Sequence, residues 1–433
     1  MLRNLGEICI VCALYSDSCH RIVCHGRIEL RRKIMQWVMA ASLICGATML
    51  TSYTNGYAPD SLIQADEVEA QLQKMTLREK VGQLFYVRPE CLDTTIHFNL
   101  PEDVDSISDD IKAVKLHAVN ATMRGVNRNY PVGGIILYAH NIVDEARLAT
   151  FVSDIRALNG SPLLCIDEEG GRVASIANNG NFAVEKFESM AAIGATGNPR
   201  NAYYCGNIIG TYLRRYGFDI DFAPVADVNT NPENVRIGDR TFGSDPAVAA
   251  PMVTNYLQGL KDAGVTGCIK HFPGHGDTKA DTHLGYAQSL KTWEQMTDCE
   301  LITFKAGIRW GAQLMMSAHI ATPNVTGKDI PATMSSFILQ DKLRGELGYQ
   351  NIIITDAMEM GAITQQYTNA EAVVGTLLAG ADIVLNPQCF VEAFDAVVKA
   401  VEDGALTEQR IDQSVRRILR LKRQIRGGDN QSL

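Results

Sequence analysis

The chain has 433 residues, of which 46% are hydrophobic and 21% are charged, an ordinary composition for a soluble globular protein. Its formal net charge of -9 at pH 7 argues against nucleic acid as a partner. The length allows one large domain or two to three domains of average size. We therefore expect a globular protein that does not bind nucleic acid.

The first 58 residues differ in composition from the rest of the chain. Basic residues at 31–33 precede an apolar run at 37–50, and small polar residues follow as far as Ala58. This order is typical of a secretory signal, and a short membrane anchor is the alternative. We predict that residues 1–58 are a signal peptide or membrane tether, with Met35 as a candidate true start. The protein would then be secreted or anchored outside the cytoplasm.

Five of the 11 cysteines lie in this leader, and four of them, Cys9, Cys12, Cys19 and Cys24, lie near His20 and His25. Their spacing could suit zinc, but no foldable domain surrounds them. Cys165 and Cys268 lie in apolar runs, which is typical of buried free thiols. We expect neither a disulfide framework nor a metal site.

From residue 62 to about residue 425, helical patterns alternate with short apolar runs. A capping box of Thr76 and Glu79 predicts a helix that continues through Leu84. Strands are predicted at eight runs: 81–87, 134–138, 163–166, 220–225, 265–269, 314–318, 352–355 and 383–385. Alternating strands and helices imply a parallel sheet. About eight units favour a single-domain (β/α)8 TIM barrel over 62–425, with a polar insertion at 90–130.

Polar residues follow most of these runs at the point where each run ends. In chain order they are Asp167, Asp227, Lys270 with His271, His319, Asp356 and Asn386. The carboxyl ends of the strands meet at one face of such a barrel, and active sites lie at that face. The pattern therefore predicts an enzyme with its active site there.

The segment CIKHFPGHGDTKADTH, residues 268–283, places the densest group of polar residues after the fifth run. Within it, Asp281 could orient His283, an imidazole that titrates near neutral pH and can transfer protons. An Asx-turn beside a surface histidine is the alternative, and His275 is a rival proton donor. Because residues 273–282 include few large apolar side chains, we expect them to make few buried contacts and to move.

Residues 270–276, KHFPGHG, and the later D-T-H at 281–283 closely resemble a signature of glycoside hydrolase family 3. The similarity is to its branch of β-N-acetylglucosaminidases. Residues 75–84 and 237–243 are also similar to that family, and the resemblance extends from about residue 75 to 385. It implies a (β/α)8 barrel without a cofactor that removes terminal β-linked N-acetylglucosamine, typically from peptidoglycan fragments. We expect a monomer.

The resemblance also implies roles for individual residues. Asp356 would be the nucleophile that forms a glycosyl-enzyme, and His283 with Asp281 would be the acid/base pair. From the residues alone, Asp356 could instead be a helix N-cap, and Glu359 is a competing carboxylate. The sugar-binding set would be Asp167, Arg172, Arg240, Lys270 and His271. Internal salt bridges, such as one between Asp167 and Lys270, are the alternative for that set.

The sequence departs from the family pattern at two positions. Ala357 stands where many members have a second aspartate, and Ser175 stands where many have a second arginine. Larger members add a second α/β domain, which we expect to be absent here. Two other functions remain open: phosphorolysis, because a neutral histidine does not repel phosphate, and non-catalytic binding of cell walls.

Overall fold

The computed structural model describes residues 67–96, 116–278 and 287–429. Eight parallel strands form a closed barrel in which each strand pairs with the next one along the chain, and the last pairs with the first. The strands are β1 Phe85–Val87, β2 Gly134–Leu137, β3 Leu163–Ile166, β4 Ile220–Asp221, β5 Thr266–Phe272, β6 Leu314–Ser317, β7 Ile352–Ala357 and β8 Ile383–Leu385. The predicted (β/α)8 barrel is confirmed. The predicted leader lies outside the described residues.

Helices connect the strands and cover the outside of the barrel. They are α1 Leu77–Gln83, α2 Ala121–Asn129, α3 Glu145–Arg156, α4 Met190–Ala195, α5 Pro199–Arg215, α6 Pro246–Asp262, α7 Trp293–Thr297, α8 Glu300–Trp310, α9 Pro323–Thr326, α10 Gly361–Thr364, α11 Asn369–Ala379, α12 Phe390–Glu402 and α13 Glu408–Asp429. A π-helix, Phe337–Glu346, precedes β7, and 67–72 are also helical. Four 3₁₀ turns lie in the loops: Pro89–Leu92, Ala139–Asn141, Gly238–Arg240 and Ala332–Met334. A small hairpin, Glu168–Gly170 with Val173–Ala174, follows β3.

The helix before β1 begins as predicted. The Thr76 hydroxyl accepts a hydrogen bond from the backbone N–H of Glu79, and the Glu79 carboxylate accepts one from the backbone N–H of Thr76. These two bonds satisfy amide groups that a helix N-terminus otherwise leaves without partners. The insertion predicted at 90–130 includes helix α2, and residues 97–115 within it lie outside the described part of the chain.

Six of the eight strands differ in length from their predicted runs; β1, for example, begins at Phe85 rather than at residue 81. β4 ends at Asp221, three residues before Pro224, which has no N–H to donate to a strand ladder. β5 continues through Phe272, so Lys270 and His271 are strand residues rather than loop residues. Strand backbone is more rigid than loop backbone, so these side chains are held on the barrel framework.

The barrel core is built from fully buried aliphatic and aromatic side chains of the strands and of the inner helix faces. On α12, for example, the Phe390 and Phe394 rings pack against Phe85 of β1, with centroids 5.5 and 5.8 Å from it. Such packing of branched and aromatic side chains stabilises the barrel.

The helix pattern of α13 alone would predict that its basic residues form a solvated face. In the structure, some of them contact buried groups instead. Arg417 Nη1 lies 2.8 Å from a carboxylate oxygen of buried Asp382, just before β8. Lys422 is buried and donates to Gln83 Oε1 and to the Gly160 and Ser161 carbonyls, at 2.6, 2.9 and 2.9 Å. These contacts fasten α13 to the amino-terminal end of the barrel.

Within the ranges described here, no helix is long and apolar enough to cross a lipid bilayer.

Candidate active site

Lys270, near the end of β5, lies between two carboxylates at the carboxyl end of the barrel. Its Nζ is 2.6 Å from Asp167 Oδ1 and 2.5 Å from Glu169 Oε1, and only 3% of its side chain is exposed. Burial alone would lower the pKa of this ammonium group, but the two carboxylates outweigh burial and raise its pKa above the ordinary value. The salt bridge between Asp167 and Lys270, considered above as an alternative, is present.

Glu169 forms ion pairs with both Lys270 and Arg240. Its carboxylate accepts hydrogen bonds from Arg240 Nε at 2.8 Å and from Arg240 Nη2 at 2.7 Å, in a two-pronged arrangement. Burial raises the pKa of Glu169, yet the charges of Arg240 and Lys270 lower it well below the usual range. The carboxylate therefore stays ionised and holds both cations. Glu169 lies between the predicted sugar-binding residues Asp167 and Arg172 in the sequence, but no role was predicted for it.

Asp227 fixes the position of His271. Its Oδ2 lies 2.7 Å from His271 Nδ1, and its Oδ1 accepts a hydrogen bond from the backbone N–H of His275 at 2.6 Å. Because a carboxylate only accepts, we assign the proton of His271 to Nδ1. His271 Nε2 then lies on the other side of the ring, 3.5 Å from Arg240 Nη2.

Asp356 is the penultimate residue of β7 and is partly exposed. Its Oδ1 accepts a hydrogen bond from the backbone N–H of Ala357 at 2.8 Å. Burial raises the pKa of Asp356, but the neighbouring His271 and His319 outweigh burial, and the pKa lies below its usual value. The carboxylate is therefore ionised, as a nucleophile must be.

His319, which follows β6, contacts the strand that carries Asp356. Its Nε2 is 3.0 Å from the Ala357 carbonyl oxygen, and its Nδ1 is 3.0 Å from Thr333 Oγ1. A carbonyl oxygen only accepts, so Nε2 carries a proton. Burial lowers the pKa of His319. The imidazole therefore acts as a fixed donor to the end of β7.

Glu359 is engaged in an ion pair with Arg88, a buried residue just after β1. A carboxylate held by a buried arginine is poorly placed to act as a second nucleophile.

Arg172 lies apart from the group formed by Lys270 and Arg240. Its guanidinium is 44% exposed and donates to Asp239 Oδ1 at 2.8 Å and to the Val235 carbonyl at 2.9 Å. These contacts hold the loop that leads into Arg240. In its present position Arg172 orders a loop of the site, and its predicted contact with sugar stays a prediction.

Ser175 stands where many family members have an arginine. Its hydroxyl donates to the backbone carbonyl of Asp167 at 3.3 Å. The site therefore has one cation fewer at this position, and a short hydroxyl stabilises the turn that carries Asp167.

The first part of the loop after β5 is anchored, so the expectation of few buried contacts is wrong for residues 273–278. Thr278 is buried, and the Gly276 carbonyl accepts a hydrogen bond from the backbone N–H of Asn231 at 3.1 Å. A Cβ at Gly276 would lie 1.9 Å from the Val228 carbonyl oxygen, so only glycine fits there. His275 Nδ1 is 2.7 Å from Thr278 Oγ1. Its ring therefore helps to hold the loop.

Asp281 and His283, the predicted acid/base pair, lie outside the described residues. Thr278 and Ala287 bound that gap, and residues 273–278 separate it from the strand that carries Lys270. Among the residues that the structure does describe, no group of three or more His, Cys, Asp or Glu side chains is arranged to hold a metal ion.

The ionised carboxylate, the cations and the imidazoles thus lie at the carboxyl end of the barrel, the face where the active sites of this fold are found. Residues 76–421 match the family model described as "Glycosyl hydrolase family 3 N terminal domain". The chain therefore belongs to glycoside hydrolase family 3, a family of enzymes that act on O-glycosyl bonds, and the predicted family is confirmed.

Relatives of known activity belong to the predicted branch of that family. The chain is 32% identical to β-hexosaminidase A of Pseudoalteromonas piscicida over 68% of its own length and 53% of the relative's. It is 35% identical to a β-hexosaminidase of Xanthomonas campestris pv. campestris (strain B100), over 61% of its own length and 81% of the relative's.

A solved structure with the same fold is the family 3 β-N-acetylglucosaminidase of Paenibacillus sp. str. FPU-7. It superposes with a TM-score of 0.69 and 36% sequence identity, and the match covers 82% of this chain and 63% of that one. The chain thus spans about half to four fifths of the length of these three relatives.

Proposed function

We propose that this chain is a retaining β-N-acetylglucosaminidase that removes terminal β-linked N-acetylglucosamine. The observation that carries the proposal is the position of Asp356, an ionised carboxylate at the carboxyl end of β7. It lies in the electrostatic field of His271, His319 and Lys270, which belong to neighbouring strands. Family membership and the names of the relatives support the substrate class.

In the proposed reaction, the Asp356 carboxylate attacks the anomeric carbon while the bond to the leaving oxygen breaks. His283, oriented by Asp281, donates its proton to that oxygen, and a covalent glycosyl-aspartate results. The neutral His283 then takes a proton from water as the water oxygen attacks the same carbon. This second step releases the sugar with its β configuration retained and regenerates the Asp356 carboxylate.

Asp167, Lys270, Arg240 and His271 would bind the hydroxyl and acetamido groups of the sugar. Charged groups make strong, directional hydrogen bonds to such groups. Lys270 pairs with Asp167 and Glu169. Arg240 pairs with Glu169, and His271 pairs with Asp227. That pairing keeps buried charges compensated and holds them in fixed directions, which favours catalysis by positioning.

The natural substrate is proposed to be a peptidoglycan fragment, and the site of action to be outside the cytoplasm. This part rests on the sequence pattern of the leader and on the branch of the family that the chain resembles. We further propose that the enzyme acts as a monomer.

The test is an assay of the purified full chain on an aryl N-acetyl-β-glucosaminide and on an aryl β-glucoside, each with and without phosphate. We expect faster release from the first substrate, no requirement for phosphate, and the β-anomer as first product by NMR. Asp356→Ala is the matched control. Sugar 1-phosphate formed only with phosphate would identify a phosphorylase instead. Sugar binding without turnover would identify a non-catalytic wall-binding protein.

A further inference from the structure

Tyr138 follows β2 at the carboxyl end of the barrel and has no part in the reaction described above. It is partly exposed, and its ring is stacked on that of His140, with centroids 6.0 Å apart and an angle of 11° between the planes. Burial and then the charge of Asp167 raise the pKa of the phenol well above its usual value, and Asp356 adds to the effect. Tyr138 therefore keeps its proton and lies within the electrostatic reach of both carboxylates.

Asn386, directly after β8, fixes the Tyr138 hydroxyl. Its Nδ2 donates to the Tyr138 oxygen at 2.6 Å, and its Oδ1 accepts a hydrogen bond from the backbone N–H of Arg88 at 2.8 Å. The second contact assigns the orientation of the Asn386 amide. A flipped amide would place its NH2 group against the backbone N–H of Arg88, and both are donors.

The backbone of Asn386 is also strained. This residue is fully buried and has a φ of 42°, in the left-handed region that residues other than glycine seldom adopt. Strained conformations of this kind are concentrated at functional sites, where the surrounding structure holds them in place. Here the strained residue is the one that donates to Tyr138.

The hydroxyl proton of Tyr138 makes no hydrogen bond within the described part of the chain. Its oxygen accepts from Asn386, so the proton has to be directed to some other acceptor. No acceptor for it lies within hydrogen-bonding distance in residues 67–96, 116–278 or 287–429. A neutral donor of this kind, at the same end of the barrel as Asp167 and Asp356, matches the hydroxyl and amide oxygens of a sugar.

We propose that Tyr138 is a substrate-contacting residue whose hydroxyl donates a hydrogen bond to an oxygen of the bound sugar, with Asn386 as its positioning residue. The inference rests on the proposed function, because it takes the ligand of the site to be a sugar. It adds a neutral donor to a set that otherwise consists of charged groups and imidazoles.

The test compares Tyr138→Phe with Tyr130→Phe in the full chain. Tyr130 is the matched control, because its hydroxyl donates to Asp395 at 3.0 Å near the amino-terminal end of the barrel. On the aryl N-acetyl-β-glucosaminide, Tyr138→Phe should lower kcat/KM by about three- to tenfold, the value of one neutral hydrogen bond. Its thermal midpoint should fall slightly, because the buried Asn386 amide loses its acceptor, so kcat/KM is compared well below both midpoints. Tyr130→Phe should keep the wild-type kcat/KM.

A second measurement separates contact with substrate from a purely structural effect. The wild type and Tyr138→Phe are compared on 2-, 3-, 4- and 6-deoxy analogues of the substrate. For one analogue, which lacks the accepting oxygen, the two proteins should have equal kcat/KM. A wild-type kcat/KM in Tyr138→Phe, or the same loss on every analogue, would overturn the proposal.

The positioning role of Asn386 has its own readout. Glycine tolerates the same φ, so Asn386→Gly should lower kcat/KM in the wild-type background but have little effect in the Tyr138→Phe background. Fully additive losses would overturn that role.

Failure of the proposed function is distinguishable from failure of this inference. If the wild type hydrolyses none of the substrates, the proposed function fails, and calorimetry with N-acetylglucosamine then decides the inference. Binding that is three- to tenfold weaker in Tyr138→Phe would support it, and equal or absent binding would contradict it.

Discussion

Replacing Glu169 with glutamine should weaken both the fold and the site. Glu169 is buried and bridges Lys270 and Arg240, so the substitution leaves two buried cations with less compensating charge. Removing one partner of a buried ion pair costs about 3–5 kcal/mol. We expect a value near the lower end, about 3 kcal/mol, because Lys270 keeps Asp167 and Arg240 keeps the Arg236 carbonyl at 3.1 Å.

The effect of Glu169→Gln on stability should depend on pH in a defined direction. Since the pKa of Glu169 is lower in the folded state than in the unfolded state, its contribution is fully present above the unfolded value. That contribution is lost as the pH falls through the folded value. The difference in unfolding free energy between wild type and variant should therefore be largest near pH 7 and shrink below about pH 4.5.

The assay for Glu169→Gln is urea unfolding at several pH values, with Glu185→Gln as the control because Glu185 is exposed. Displaced cations should also lower kcat/KM by about 10²-fold, the usual effect of a displacement of about 1 Å at a reacting centre. If Glu169→Gln unfolds within about 0.5 kcal/mol of the control, as surface substitutions do, then Glu169 does not hold the two cations as argued.

Three further substitutions test other parts of the molecule. Asp356→Ala should abolish turnover without unfolding the protein, and a 2-fluoro sugar should label Asp356 in the wild type; a label on Glu359 would contradict the assignment of the nucleophile. His283→Ala should slow substrates with poor leaving groups about 10²–10⁴-fold, while activated aryl substrates lose much less; equal losses would indicate a role in binding. Burial lowers the pKa of Lys422 to about 7 from an ordinary 10.5, so wild-type stability should rise with pH across that window, because the unfolded state binds the extra proton. Lys422→Met should lack this rise, as urea midpoints at pH 6, 8 and 9.5 would show, and should be less stable overall because three acceptors lose their donor.

The fold could be predicted because its signals are local in sequence. Each apolar run of the barrel strands is a short stretch of consecutive residues, and the capping box of Thr76 and Glu79 spans three positions. The errors occurred where long-range contacts decide the outcome. β5 extends to Phe272 because it pairs with β6 as far as Ser317, and no pattern within the loop sequence indicates that pairing.

The sequence predicted which chemical groups the candidate site contains, but not how those groups pair. Side chains such as Asp167, Lys270 and Asp356 follow apolar runs, and the sequence marks them as groups at strand ends. The sequence does not show which groups pair, because partners such as Glu169 and Arg240 are 71 positions apart and meet only when the barrel closes. For the same reason Arg172, a predicted sugar-binding residue, contacts a neighbouring loop. By contrast Tyr138 lies in an ordinary apolar run. Its hydroxyl is held in place by a hydrogen bond from Asn386, 248 positions away. The role of a polar residue in this barrel thus depends on which side chains the neighbouring strand ends place beside it. Substitutions that separate such paired side chains will test which residues have the proposed sugar-binding role.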